Sequence, residues 1–152
     1  MEDLINKLLA RRLRRDRWLK KLLQTLQTEA AEGFLLILLN VMRLAFLVDR
    51  NYRKNIKHFT ARYQFKCQEE GLAVAAVLED GKMKVKEGCV AKPTIVINFK
   101  SSKALMGFLL SPKPDILNSI LHQEITLNGN LNYLYKFAYM SKRLQLMALG
   151  QA

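Results

Sequence analysis

The hydrophobic pattern of this chain changes period near His58, and that change limits what the chain can fold into. Before His58 the apolar residues recur at helical spacing; after it come short alternating runs broken by Gly and Pro. Side chains repeat every 3.6 residues on a helix and every second residue on a strand, so neither pattern fits the other structure. The chain of 152 residues is therefore read as two units. Residues 1–57 form a basic, amphipathic to apolar helical segment, and residues 58–152 form a mixed domain of strands and helices.

The helical part divides in two. A first helix is expected from Glu2 to Ala31, where Leu4, Leu8, Leu19, Leu22 and Leu26 share one arc. The run RRLRRDR, Arg11 to Arg17, cuts across that arc. Two readings stay open: a solvated turn between two shorter helices, or a membrane interface. Arginine stems suit an interface because they lie along apolar surface while their heads reach phosphates. A second helix is expected from Gly33 to Lys57. Its polar line is thin, running through Asn40, Arg43, Arg50 and Arg53, and it is too apolar for a single contact face.

The alternating part yields five strands. In the first, Ala61, Tyr63, Phe65 and Cys67 point inward, leaving Arg62, Gln64, Lys66 and Gln68 on a wet face. LAVAAVL is buried on both faces and is expected to be central. Asp80-Gly81 is a hairpin signal. In KMKVKEG, Met83 and Val85 point in, while Lys82, Lys84 and Lys86 suit an edge. KPTIVINFK is the fourth strand, with Ile95, Ile97 and Phe99 inward. Ser101-Ser102 offers an N-cap to the helix KALMGFLL. Pro112 and Pro114 separate it from a second short helix. QEITLNGN is the fifth strand, and Asn128-Gly129-Asn130 turns into a final helix, Leu131 to Met147. Strands with segregated helices give an α+β fold, its helices on one face of the sheet.

Charge narrows the partners. The formal net charge is +12, and both parts contribute: thirteen basic and six acidic residues lie before Phe59, twelve and seven after it. Such a chain favours anionic partners, a membrane surface or nucleic acid. Cys67 and Cys89 make no metal-ligand spacing with His58 or His122, so no metal or cofactor is expected. Two lone thiols suit a reducing compartment. The apolar run after Gly33 is broken by Asn40 and Arg43 and falls short of the roughly 20 residues of a spanning helix. The opening MEDLINKL is unlike a signal peptide, and the closing LGQA is unlike a peroxisomal address, so a cytoplasmic chain is expected. There is no G-x-S-x-G, no P-loop and no G-x-G-x-x-G, and the reading is of a non-enzyme.

From about Tyr63 to Leu146 the sequence resembles the sterol carrier protein 2 family of lipid-binding domains. The matching stretches are DGKMKVKEG, KPTIVINFKSSKALMGFLLSPKPDIL and EITLNGNLNYLYKFAYMSKRLQL, in that order and spacing. Thr94 stands where that family often has an acidic residue. The resemblance implies a five-stranded, largely antiparallel sheet covered on one face by helices, here preceded by two N-terminal helices. It also implies an apolar tunnel between sheet and helices that takes sterols, fatty acyl chains, phospholipids or, in bacterial ubiquinone assembly, a polyprenylated ring. The candidate wall is Tyr63, Phe65, Met83, Ile95, Ile97, Phe99, Phe108, Leu109, Leu127, Leu134, Phe137 and Met140. The plainer alternative is that these side chains simply fill a core.

Three functions compete. The first is intracellular binding and transfer or presentation of a hydrophobic lipid, with peripheral membrane association through Arg11, Arg12, Arg14, Arg15, Arg17, Trp18, Lys20 and Lys21. The basic residues would attract anionic headgroups, and the indole would sit at the interface. A variant of it is an accessory lipid-binding subunit of ubiquinone biosynthesis within a protein assembly. The second is nucleic-acid binding through the arginine-rich run, disfavoured because the aromatics are not interleaved with the basic residues. The third is an interaction module, its apolar helices buried against a second copy or a partner.

Overall fold

The computed structural model describes residues 31–69, 71–110 and 115–148. The expected first helix, with the candidate membrane residues Arg11 to Lys21, lies outside them, as do Pro112 and Pro114.

Helix α1, Ala31–Val48, buries a broad stripe that includes Phe34, Leu35, Leu38, Leu39, Met42 and Phe46. The expected continuation to Lys57 does not occur. Asp49 takes an extended conformation, φ −107° and ψ 109°, and its carboxylate accepts from the Tyr52 amide at 3.0 Å. That is an N-cap, which satisfies an amide a new helix would otherwise leave unpaired. It starts α2, Arg50–Arg53, which tightens into a 3₁₀ turn, Lys54–Ile56. The break turns Tyr52 back onto Phe46, their rings stacked at 4.5 Å.

Five strands follow: β1 Ala61–Cys67, β2 Leu72–Glu79, β3 Lys82–Glu87, β4 Ile95–Phe99 and β5 Ile125–Gly129. Their spatial order is β3-β2-β1-β4-β5. Every neighbouring pair is antiparallel except β1 and β4, which run parallel. The central strand is thus β1, and not β2 as its continuous apolar run suggests. α1 packs over the inner face of β2 and over β3; on the outer face of β2 only Ala75 is buried, while Ala73 and Val77 are half-buried. The hairpin between β2 and β3 turns at Asp80 and Gly81, both at positive φ, 54° and 71°, as a two-residue turn of this twist requires.

Register aligns the inner face in rows. Val85, Ala76, Tyr63 and Ile95 form one, and Val74, Phe65, Ile97 and Leu127 the next. Helices α3, Ser102–Leu110, α4, Ile116–Leu121, and α5, Leu131–Ala148, complete the molecule. Ser101 Oγ accepts from the Ala104 amide at 3.1 Å, the cap the sequence indicates. Asp115 caps α4 in the same way through the Asn118 amide. Buried residues of α1, α3, α5 and the inner sheet face belong to one core cluster.

The outer face holds a surprise at Gln64. The strand alternation assigns it to the wet side, yet it is only 2% exposed. Because β4 pairs with β1 and not with β3, the chain between Glu87 and Ile95 must cross the sheet. Gln64 fastens this crossover. Its Oε1 accepts from the Val90 amide at 2.7 Å, and its Nε2 donates to the Gly88 carbonyl at 3.1 Å. Thr94 closes the same connection: its amide donates to Arg62 O at 2.9 Å and its Oγ1 accepts from the Arg62 amide at 3.0 Å.

Candidate functional site: an aromatic interior beside a polar cleft

The interior between β1 and α5 is built from stacked rings. Phe65 lies 4.9 Å from Phe137 between centroids, and Tyr63 lies 5.7 Å from Phe137 and 6.1 Å from Phe65. Offset and tilted arrangements of this kind add to area burial because ring edges meet ring faces. A buried phenol needs a partner, and both buried tyrosines find one on the backbone of α5. Tyr63 donates to Tyr133 O at 2.7 Å; Tyr52 donates to Met140 O at 2.9 Å. α5 is therefore tied at two points, from the sheet and from α2. Burial pushes both phenols above the usual tyrosine value. The Arg143 guanidinium opposes the shift at Tyr52, while Tyr133 adds to it at Tyr63.

The twelve candidate wall residues come together here. Tyr63, Phe65, Ile95, Ile97, Phe99, Leu134, Phe137 and Met140 are fully or almost fully buried, and Met83, Phe108 and Leu109 nearly so. Leu127 is half-buried and packs against the same cluster. Their neighbours are apolar and aromatic, with two flexible thioethers, Met83 and Met140. They belong to the packed core cluster between sheet and helices.

A second feature was not visible in the sequence. A cleft of about 780 Å³ opens between the β1–β2 end, the start of α3 and α4. Glu69, Lys100, Lys103, Asp115 and Glu124 give it charge of both signs, and Ser101, Asn118, Ser119 and the His122 ring give it further polar groups. Ala104, Gly107 and Phe108 form its apolar side. Phe108 alone of the twelve lines this cleft, and its ring lies 5.7 Å from that of Phe99 in the core. Phe108 therefore stands on the boundary between cleft and interior. The lining comes from segments far apart in sequence, each polar for local reasons such as capping, so no spacing signal marked it. Among the described residues no cluster of three or more His, Cys, Asp or Glu could hold a metal ion. No described helix is long and apolar enough to cross a membrane.

A five-stranded sheet in the order β3-β2-β1-β4-β5, with one parallel pair at its centre and helices over its inner face, is the sterol carrier protein 2-like fold. Solved structures bear this out. The UbiJ-SCP2 ubiquinone synthesis protein superposes with a TM-score of 0.54 at 10% identity, over 72% of this chain and 96% of that one. Sterol carrier protein domain 2 of Helicoverpa armigera does so with 0.52 at 18%, over 74% and 87%. A sec-alkylsulfatase, Pisa1 from Pseudomonas sp., matches with 0.52 at 15% over 58% of this chain, which spans 14% of that enzyme. The sequence itself matches no family profile and no curated protein. At these identities the likeness is one of fold.

Proposed function

We propose that this protein is a non-catalytic carrier of a hydrophobic lipid, which it binds between sheet and helices and transfers or presents inside the cell. The observation that carries the reading is the junction at Phe108. On one side lies an interior packed with aromatic, aliphatic and methionine side chains, into which a lipid chain would have to insert, and on the other a polar cleft of about 780 Å³. A lipid is amphiphilic and needs both. An acyl or isoprenoid chain gains about 0.8 kcal/mol for each methylene it buries, so even a partly inserted chain is held firmly. The likeness to sterol carrier domains supports the class of cargo, and the likeness to a ubiquinone synthesis protein supports a polyprenylated ring presented within an assembly. Peripheral association with anionic membranes, through the basic run Arg11 to Lys21 and Trp18, belongs to the same reading.

Native mass spectrometry of the purified chain, followed by organic extraction, tests it. A lipid bound one to one, lost on extraction and regained on adding it back, is the expected result. A clean apo mass, with no uptake of fatty acid, sterol, phospholipid or quinone precursor, would leave the rings as ordinary core and remove the proposal.

A further inference from the structure

Helix α1 ends in an apolar tip. Leu44, Leu47 and Val48 are 43%, 57% and 83% exposed. They fall within about 100° of helix circumference, opposite the stripe that Leu35, Met42 and Phe46 bury in the core. The one polar residue above them on this face, Asn40, spends its amide on Leu36 O at 2.8 Å. The tip carries cations immediately beside it. Arg50, Arg53, Lys54 and Lys57 follow in sequence and are all exposed. Asp49 is the only carboxylate from Arg43 to Lys57, and it is committed to the N-cap of α2. Arg53 reaches back over the end of α1 and donates to Leu47 O at 3.3 Å, which holds a guanidinium against the apolar tip. On α5, Arg143 stands close enough to Tyr52 to influence it electrostatically, its Nε buried without a partner.

We propose that this α1–α2 corner docks on an anionic phospholipid bilayer, Leu47 and Val48 entering the interface and Arg50 and Arg53 meeting headgroup phosphates. Apolar side chains ringed by cations match that interface, where hydrocarbon lies just beneath negative charge. Charge argues against the other covers. A second copy joined through the same patch would bring two copies of the same cationic surface together, since a twofold contact pairs a surface with itself. The run Arg11 to Lys21 of this chain carries the same sign as the corner and is repelled by it. A bilayer attracts both. The inference rests on the lipid-carrier reading in one respect, that a carrier must visit membranes to load or unload.

The test is flotation of the full chain with vesicles of phosphatidylcholine alone and of phosphatidylcholine with phosphatidylglycerol, at low and high salt. Wild type is expected to bind the anionic vesicles at low salt and to release at high salt. Leu47→Ser/Val48→Ser and Arg50→Glu/Arg53→Glu are each expected to weaken binding about tenfold or more, with melting curves close to wild type because all four side chains are exposed. Either pair binding like wild type would overturn the proposal, and so would equal binding to neutral vesicles. A stable dimer broken by the Leu47→Ser/Val48→Ser pair would overturn it too, by assigning the corner to a second copy. Uptake of a fluorescent fatty acid without vesicles reports on the carrier reading separately. A chain that takes up no lipid, yet loses vesicles when the corner is changed, keeps the docking surface and discards the cargo.

Discussion

Gly129 closes β5 opposite Ile95 and hands the chain to α5, and its replacement by alanine tests how tightly that junction is set. The residue has φ +131°, a region that side chains rarely enter. An added Cβ would stand 2.7 Å from the Thr94 carbonyl oxygen, 3.0 Å from Ile95 Cα and 3.2 Å from Ile95 Cβ. The two closest atoms are backbone, and they cannot easily retreat, because the Thr94 amide is tied to Arg62 O at 2.9 Å. Two costs therefore add. Forcing the backbone region costs about 1–3 kcal/mol, and overpacking against a fixed strand costs about 1–3 kcal/mol more. The sum, about 2–6 kcal/mol, is a large part of the roughly 5–15 kcal/mol that holds a domain folded. Two other glycines separate the terms. Gly88 has φ +88° with nothing within 4 Å of an added Cβ, so Gly88→Ala bears only the backbone cost. Gly107 lies within α3 with open space around it, so Gly107→Ala is expected to gain up to about 1 kcal/mol from helix propensity. Urea unfolding followed by circular dichroism yields all three values. Should Gly129→Ala cost no more than Gly88→Ala, β4 yields freely and the argument from close approach is wrong.

Gln64→Leu keeps the volume but strands the Val90 amide and the Gly88 carbonyl beneath the crossover, at a cost of about 2–3 kcal/mol; hydrogen exchange at Val90 should speed up, and unchanged protection there would show that the crossover does not depend on Gln64. Alkaline pH should destabilise the fold: in the unfolded chain Tyr52 and Tyr63 ionise near the ordinary tyrosine value of about 10, while the folded chain holds both protons to higher pH. The stability they lend is whole below that value and falls above it by about 1.4 kcal/mol per pH unit for each phenol. Tyr52→Phe and Tyr63→Phe should each remove about half of that slope, at about 1 kcal/mol lost near neutrality for the missing hydrogen bond; a slope unaffected by both would assign alkaline loss to other groups.

Local signals reported local structure faithfully. Asp80-Gly81 made its hairpin, Ser101 its cap, and the alternation around Tyr63 and Phe65 placed those rings inward. What escaped were consequences of distant pairing. β2 is apolar throughout and is an interior strand, flanked by β3 and β1, but the middle of the sheet falls on β1 because β4 and then β5 add to the other edge of β1. The same choice sends the crossover over Gln64 and buries it, which no window around Gln64 can reveal. Asp49 had a cap's chemistry in plain view, yet apolar spacing on both sides masked the break. The burial of Tyr63, Phe65, Ile97, Leu134 and Phe137 was legible because inward strand residues and the inner stripe of α5 share one core. The polar cleft was not, since its lining is assembled from β1–β2, α3 and α4.

The parallel ladder between β1 and β4 also dictates an order of events in time. β1, β2 and β3 form a meander whose pairs close through short turns, so these strands can associate early and locally. The remaining ladder must join residues such as Arg62 and Thr94, which are 32 apart, without a tight turn to guide them. Closing that loop demands entropy before Tyr63 and Phe65 receive their second wall from Ile95 and Ile97. Until it closes, β1 presents a free edge with aromatic side chains behind it, the state most open to pairing with another chain. On this topology the docking of β4 is the expected slow step and the expected point of greatest exposure of the β1 edge, with Gln64 and Thr94 fastening the crossover once it closes.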